Sequence, residues 1–327
     1  MKSISFFNNK GGVGKTTLLC NVAAFLALNK DLKICVVDAD PQCNATQYFF
    51  SDEAVDRIYS DHDSFTIYKI IEPLSQGEGY TPNITFMRSE AFNIDVIPGD
   101  PRLALTEDLL AKDWGEVKSG EIRGMKTNLV FSDLLNRLNN YDLVLFDVSP
   151  SLGAINRSIL LTSDFFVSPM SIDIFSLRAF ENIAKWINDW SSAWRRGVAN
   201  VNSEERRRNY EKFNSAKFIG YVTQQYMAKR DASGDRRPVK AYENIRKEID
   251  SIIKENFSGE NTPAEPYEIG TVPNLFSLVP MSQKNHKPVF ELLGRDGVVG
   301  AHFTKVKESK EIFGQVANEI MDRISDD

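Results

Sequence analysis

The eight residues Lys10-Gly11-Gly12-Val13-Gly14-Lys15-Thr16-Thr17 constrain this chain more than any other feature of it. They follow a short apolar run, Ser3 to Phe7, and precede TTLLCNVAAFLAL, which contains no Gly or Pro. The first run reads as a buried strand and the second as a helix buried on most sides. Glycines let the backbone curl and turn successive N–H groups inward. The start of a helix adds partial positive charge, so phosphate oxygens sit favourably there. In such a loop Lys15 bridges the β- and γ-phosphates, Thr16 sets its hydroxyl on Mg²⁺ and Thr17 bonds the α-phosphate. The standard pattern G-x-x-x-x-G-K-[ST] asks for glycine at position 9, where this chain has Asn9 followed by Lys10. A glycine-rich turn with incidental lysines is the rival reading, and it explains neither the pattern nor its place between strand and helix.

The rest of the chain alternates in kind. Lys33 to Asp38 (KICVVD) is a β-branched apolar run, so the chain opens strand, glycine loop, helix, strand. Such a βαβ unit implies parallel pairing and a right-handed crossover. Further strands are expected at Ile94 to Ile97, Leu143 to Asp147, Phe165 to Ser168, Phe218 to Thr223 and Phe276 to Val279. Helices are expected at Asn128 to Leu138 and Phe175 to Trp190. This predicts an α/β fold, a doubly wound and mostly parallel sheet with helices on both faces. Polar or charged segments at 50–92 and 191–214 read as insertions, and 255–272 as a surface loop, within one domain covering 1–327.

At 42% hydrophobic and 26% charged, the chain has the composition of a soluble globular protein. Its net charge of −6 excludes a uniformly basic nucleic-acid binder but leaves room for a local basic patch. No stretch approaches the roughly 20 apolar residues of a membrane span, and MKSISFFNNK lacks a signal-peptide pattern. Cys20, Cys35 and Cys43 lack metal-type spacing, which points to a reduced, cytoplasmic compartment and no iron–sulfur cluster. His62, His286 and His302 are scattered and read as structural or surface groups.

Two acidic segments complete the chemistry. Asp38-Ala39-Asp40-Pro41-Gln42 follows the second strand, and carboxylates at such a strand end face the ligand crevice of an open α/β sheet. Asp147 ends the apolar run Leu143 to Phe146, the Walker B arrangement, which holds Mg²⁺ through water. Together with KGGVGKTT these residues resemble the ParA/MinD family of P-loop NTPases with a deviant Walker A motif. DADPQCNAT is similar to that family's DxDPQGNAT, with Cys43 in the glycine's place, and DVSPSLG (147–153) is similar to its DxxPSLG. Softer likenesses lie in Ile97-Pro98-Gly99 with Leu103 and Glu107, and in Phe165 to Glu181.

The resemblance implies a slow, Mg²⁺-dependent ATP hydrolase that forms a homodimer around ATP. It implies that Lys10 acts in trans on the partner's phosphates, as an arginine finger does. It makes Asp40 the residue that positions the attacking water and puts Asp38 with Thr16 and Asp147 around Mg²⁺. Val279-Pro280-Met281 falls where the family's last strand leads to the adenine pocket, so the backbone of Pro280 and Met281 either touches adenine or simply ends a strand.

ParA-type members bind DNA without sequence preference, whereas MinD-type members bind membrane through a basic C-terminal helix. Here the last helix, Glu308 to Ile324, carries Ile312, Phe313, Val316, Ile320 and Ile324 at helical spacing, a stripe suited to core packing. Its polar side is acidic and the chain ends Asp326-Asp327, so no membrane anchoring is expected. Two basic clusters are candidate DNA contacts: Arg195, Arg196 and Arg206 to Arg208, and Lys229, Arg230, Arg236, Arg237, Lys240, Arg246 and Lys247. The rival reading of each is a solvated helix face with interspersed Glu and Asp. The resemblance thus implies a ParA-like partition ATPase, cytoplasmic and nucleoid-associated when ATP-bound, whose hydrolysis a cargo- or centromere-binding protein stimulates. An orphan ATPase that positions a protein assembly or serves a mobile-element or defence system is the alternative. A small-molecule phosphotransferase is a third, against which Lys10 argues.

Overall fold

Alternating apolar and β-branched runs build a central sheet covered on both faces. The computed structural model describes residues 1–61, 64–226, 229–230, 236–237, 240–257, 263 and 265–325, with no description of side chains over 225–243. The strands are β1 (Lys2–Phe6), β2 (Ile34–Ala39), β3 (Met87–Ser89), β4 (Ile94–Ile97), β5 (Leu143–Val148), β6 (Phe165–Met170), β7 (Lys217–Tyr226), β8 (Lys229–Arg230), β9 (Arg236–Arg237) and β10 (Glu268–Pro273). The first helices are α1 (Lys15–Lys30), α2 (Asn44–Phe49), α3 (Asp52–Ser60), α4 (Tyr68–Ser75), α5 (Glu107–Lys118), α6 (Ile122–Asn128) and α7 (Val130–Arg137). They are followed by α8 (Ala154–Thr162), α9 (Ile174–Ala199), α10 (Glu204–Glu211), α11 (Lys240–Asn256), α12 (Leu278–Asn285) and α13 (His302–Ser325).

Eight strands form one sheet in the order β10-β7-β6-β1-β5-β2-β4-β3. Every pairing in it is parallel except β3 with β4. Neighbouring residues of one strand serve opposite cores: Val36 and Leu145 face one, Val37 and Phe146 the other. That is why the central strands read as unbroken apolar runs. On one face Phe166, Phe180, Phe218 and Phe257 cluster, with Phe166–Phe218 and Phe218–Phe257 ring centroids 4.8 Å apart. Each such fully buried Phe contributes roughly 1.5–3 kcal/mol. On the other face α1 and α13 pack together. The stripe Phe313, Val316, Ile320 and Ile324 of α13 is buried in the core, as its spacing predicts. No described helix is long and apolar enough to cross a membrane.

Several expectations need correction. Phe276 to Val279 is not a strand: Phe276 and Ser277 form a turn, and α12 starts at Leu278. The last strand is β10, inside the segment expected to be a surface loop. β6 runs through Pro169 to Met170, because its pairing with β1 ends at Val167 and the missing proline N–H is not needed on that side. The expected helix 128–138 starts at Val130, after a break at Leu129. The segment 50–92 holds α3, α4 and β3. The charged segment 191–214 continues α9 to Ala199 and adds α10, because Ala193, Trp194, Gly197 and Val198 turn inward.

Gly197 marks the crossing of α9 and α5. A Cβ there would lie 2.1 Å from the carbonyl oxygen of Val117, a backbone atom that cannot swing away. Gly197→Ala is therefore expected to destabilise the fold by about 1–3 kcal/mol, read as a lower urea midpoint with unchanged slope.

Candidate nucleotide site

Position in the sheet assembles the site. β5 lies between β1 and β2, and the register sets Phe6, Asp147 and Asp38 side by side where the three strands end. The loop leaving β1 then crosses the sheet edge into α1. Gly12 and Gly14 sit at φ 72° and 80°, a region open to glycine and unfavourable for other residues. Asn9 is absent from the positive-φ residues, so the loop tolerates the missing first glycine. No side chain caps α1, whose N-cap is Gly14. Its first-turn N–H groups stay free for an anion.

Around this loop lies an open cleft of about 740 Å³. Gly11 to Thr17, Asp40, Gln42 and Pro150 line it. Lys15 is 7% exposed and its Nζ lies 3.3 Å from the Lys10 carbonyl oxygen. Burial lowers its pKa against the opposing pull of Asp147 and Asp40. The Thr16 hydroxyl donates to Asp147 Oδ2 at 2.7 Å. Asp147 Oδ1 is buried with no hydrogen-bond partner. Burial first, then the Asp38 charge, pushes the Asp147 carboxyl well above the usual carboxylate range. A free carboxylate oxygen beside a threonine hydroxyl suits a hard cation, so Thr16 and Asp147 fit a Mg²⁺.

Asp38 does not fit that role. Its Oδ2 accepts from the Thr46 N–H and hydroxyl, both at 2.7 Å, and its Oδ1 accepts from the Asp40 N–H at 3.3 Å. It is fully buried, and burial outweighs those bonds to raise its pKa to about 6. Asp38 anchors the loop carrying Asp40, with both oxygens engaged, and is not among the residues lining the cleft. Thr46 extends the brace by accepting from the Gly99 N–H at 2.8 Å. Cys43 sits at φ 54°, a conformation that glycine adopts without strain. Glu107 on α5 accepts from the Ala154 and Ile155 N–H groups and so holds the start of α8, just after the 147–153 segment.

Lys10, expected to act in trans, turns out of its own cleft: its Nζ lies 2.5 Å from Asp173 Oδ2 and 3.3 Å from Ser176 Oγ. Asp173 also caps α9 through the Ser176 N–H at 2.8 Å. Burial tends to raise its pKa, but Lys10 and that N–H outweigh it and leave the carboxyl below its usual value. Pro280 and Met281 lie within α12, Pro280 exposed, and neither lines the cleft or the small cavity beside Gly14. His286 was expected to be structural or superficial, yet it lines the cleft together with Gln283, Lys284 and Asp52. No sequence motif marks these four, because the start of α3 and the end of α12 meet the loop only through tertiary packing.

The basic clusters are divided. Arg208 pairs with Glu204 at 2.7 Å, while Arg195 and Arg196 are exposed on α9. Arg246 is held by Glu268 of β10 and is not free for another anion. Lys229 pairs with Arg237, and Arg230 with Arg236, across the backbone of the β8–β9 hairpin. The side chains of these four and of Lys240, like the whole of His62, lie outside the described residues.

Comparison with known proteins agrees with this geometry. A family model described as "AAA domain" matches residues 1–198. The sporulation initiation inhibitor protein Soj of Bacillus subtilis is 30% identical over 189 residues, 56% of this chain and 63% of Soj. The curated relatives are thus matched over less than two thirds of their own length. A crystal structure of a Corynebacterium diphtheriae protein is 32% identical, with a TM-score of 0.71, over 88% of this chain and 97% of that one. The structure of pNOB8 ParA bound to nonspecific DNA shares the fold, with a TM-score of 0.60 at 19% identity over 100% of this chain and 99% of that one. With more than half of the chain inside the family match and the phosphate loop, Walker B acid and sheet order in place, this chain belongs to the ParA/MinD-type family of P-loop ATPases.

Proposed function

We propose that this chain is an ATP-dependent switch of the ParA type, acting through residues 1–327 as one domain. It binds ATP, closes into a homodimer, holds DNA without sequence preference and releases it on hydrolysis. The observation that carries this reading is the uncapped start of α1 beside Lys15, with the unpartnered Asp147 oxygen behind Thr16. The loop amides and Lys15 would hold the triphosphate. Thr16 and Asp147 would hold Mg²⁺, which when bound neutralises charge on the phosphate oxygens. Asp40, 5% exposed, lines the cleft and would orient a water, and its own loop is fixed by Asp38 and Thr46.

Dimerisation and DNA binding rest on wider support. Lys10 is the family's signature lysine, and a half-buried ion pair to Asp173 is one it would exchange for a partner's phosphate. DNA binding draws on pNOB8 ParA, solved on nonspecific DNA, and on the hairpin of basic residues β8–β9 beyond β7. The stimulating partner would be a cargo- or centromere-binding protein. Plasmid or chromosome partition is the process this activity suits.

Lys15→Ala should weaken ATP binding by about 100-fold or more, since it leaves buried phosphate charge unpaired. Unchanged affinity in calorimetry would refute the loop assignment. Asp40→Ala should retain ATP binding and lower phosphate release by about 100-fold or more, leaving a persistent dimer in sedimentation. Wild-type turnover in that variant removes Asp40 from the reaction. Arg236→Glu combined with Arg237→Glu should lower the logarithmic salt dependence of ATP-dependent DNA binding by about 2, with ATP affinity unaltered. An unchanged salt slope would place the DNA contact elsewhere.

A further inference from the structure

We infer that Tyr59 of α3 is a positioning residue for hydrolysis, and that its hydroxyl holds the loop carrying Asp40. This rests on the reading of Asp40 as the residue that orients the attacking water. Tyr59 belongs to the segment 50–92, which none of the phosphate-site motifs reaches. Its hydroxyl donates to the Gly99 carbonyl oxygen at 3.1 Å and also bonds the Cys43 side chain. It therefore ties the loop after β4 to the loop after β2.

From Gly99 a chain of hydrogen bonds runs to Asp40. The Gly99 N–H donates to Thr46 Oγ1 at 2.8 Å, and the Thr46 hydroxyl donates to Asp38 Oδ2 at 2.7 Å. Asp38 Oδ1 accepts from the Asp40 N–H at 3.3 Å, and the Asp40 carbonyl oxygen accepts from the Cys43 N–H at 2.8 Å. Asp40 Oδ1 accepts from the Gln42 N–H at 3.0 Å. The junction under Tyr59 is tight. A Cβ on Gly99 would lie 2.9 Å from the Asp38 carboxyl and 3.0 Å from Cys43 Sγ. Cys43 sits at φ 54°, and such a conformation persists in a residue other than glycine only where surrounding contacts impose it. Burial pushes its thiol up to about 12, so it stays neutral beside Asp38 and Asp40. Linked hydrogen bonds polarise and order one another, so Asp40 feels the loss of the Tyr59 hydroxyl. Tyr59 keeps 40% of its surface exposed, so removing that hydroxyl leaves the core intact.

The test is single-turnover ATP hydrolysis and ATP calorimetry on the full chain with Mg²⁺. Tyr59→Phe should lower the rate of phosphate release about tenfold and leave ATP affinity unchanged. Added to Asp40→Ala, Tyr59→Phe should lower the residual rate no further, because its effect passes through Asp40. A wild-type rate in Tyr59→Phe overturns the inference alone. So does a second loss of about tenfold in the Asp40→Ala background, or a parallel loss of ATP affinity, since Tyr59 would then only support the fold. Wild-type turnover in Asp40→Ala by itself removes Asp40 from the reaction and this inference with it. A wild-type chain that hydrolyses no ATP overturns the ATPase reading and this inference together.

Discussion

The start of α1 is the constraint on which the site depends. Its N-cap is a glycine at φ 80°, no side chain satisfies its first amides, and it points at the end of the central strand β1. The first amides of such a helix end are satisfied by water or by a ligand. The sheet supplies rigidity: β1 is paired on both sides by parallel strands, and α1 is buried nearly all round between the sheet and α13. The loop between them has little freedom except the conformation its glycines allow.

Charge around that loop is balanced only in part. Lys15 is surrounded by Asp40 and Asp147, with Asp38 immediately behind. Burial lowers the lysine's pKa and raises those of Asp38 and Asp147, so all three carry their charges less readily than in water. The site is poised for added ions of both signs, an anion against the loop and a cation against Asp147. Asp38 shows that a shared motif does not assign a role by itself. Its position beside Asp147 follows the motif, but its oxygens hold Thr46 and so give Asp40 a fixed mount.

The phosphate loop and central strands were legible because their signals are local. A strand buried on both faces must be an apolar run, and Leu143 to Val148 is buried throughout. β10 was hidden because it lies at the sheet edge and is half-covered, so Glu268, Gly270 and Thr271 interrupt any apolar pattern. The apolar string at 276–279 carries the stronger strand pattern, although Phe276 is exposed. The expected strand end at Pro280 and Met281 lies instead inside α12. The extension of α9 was masked in the same way by surface arginines over a buried face. Contacts such as Gln224 against Gly14, or α12 across the cleft, join residues more than 200 positions apart and leave no periodic trace.

The contact between Lys10 and Asp173 changes what reaching across an interface would involve. A lysine already seated on a carboxylate exchanges one counter-ion for another when it moves. The net gain is the difference between two anions, far smaller than the attraction of either one alone. Both side chains are about one third exposed, so water and dissolved salt weaken the resting pair. A multiply charged phosphate in a drier setting is the stronger competitor. The chain thereby carries its own reference anion, against which an incoming one would be weighed.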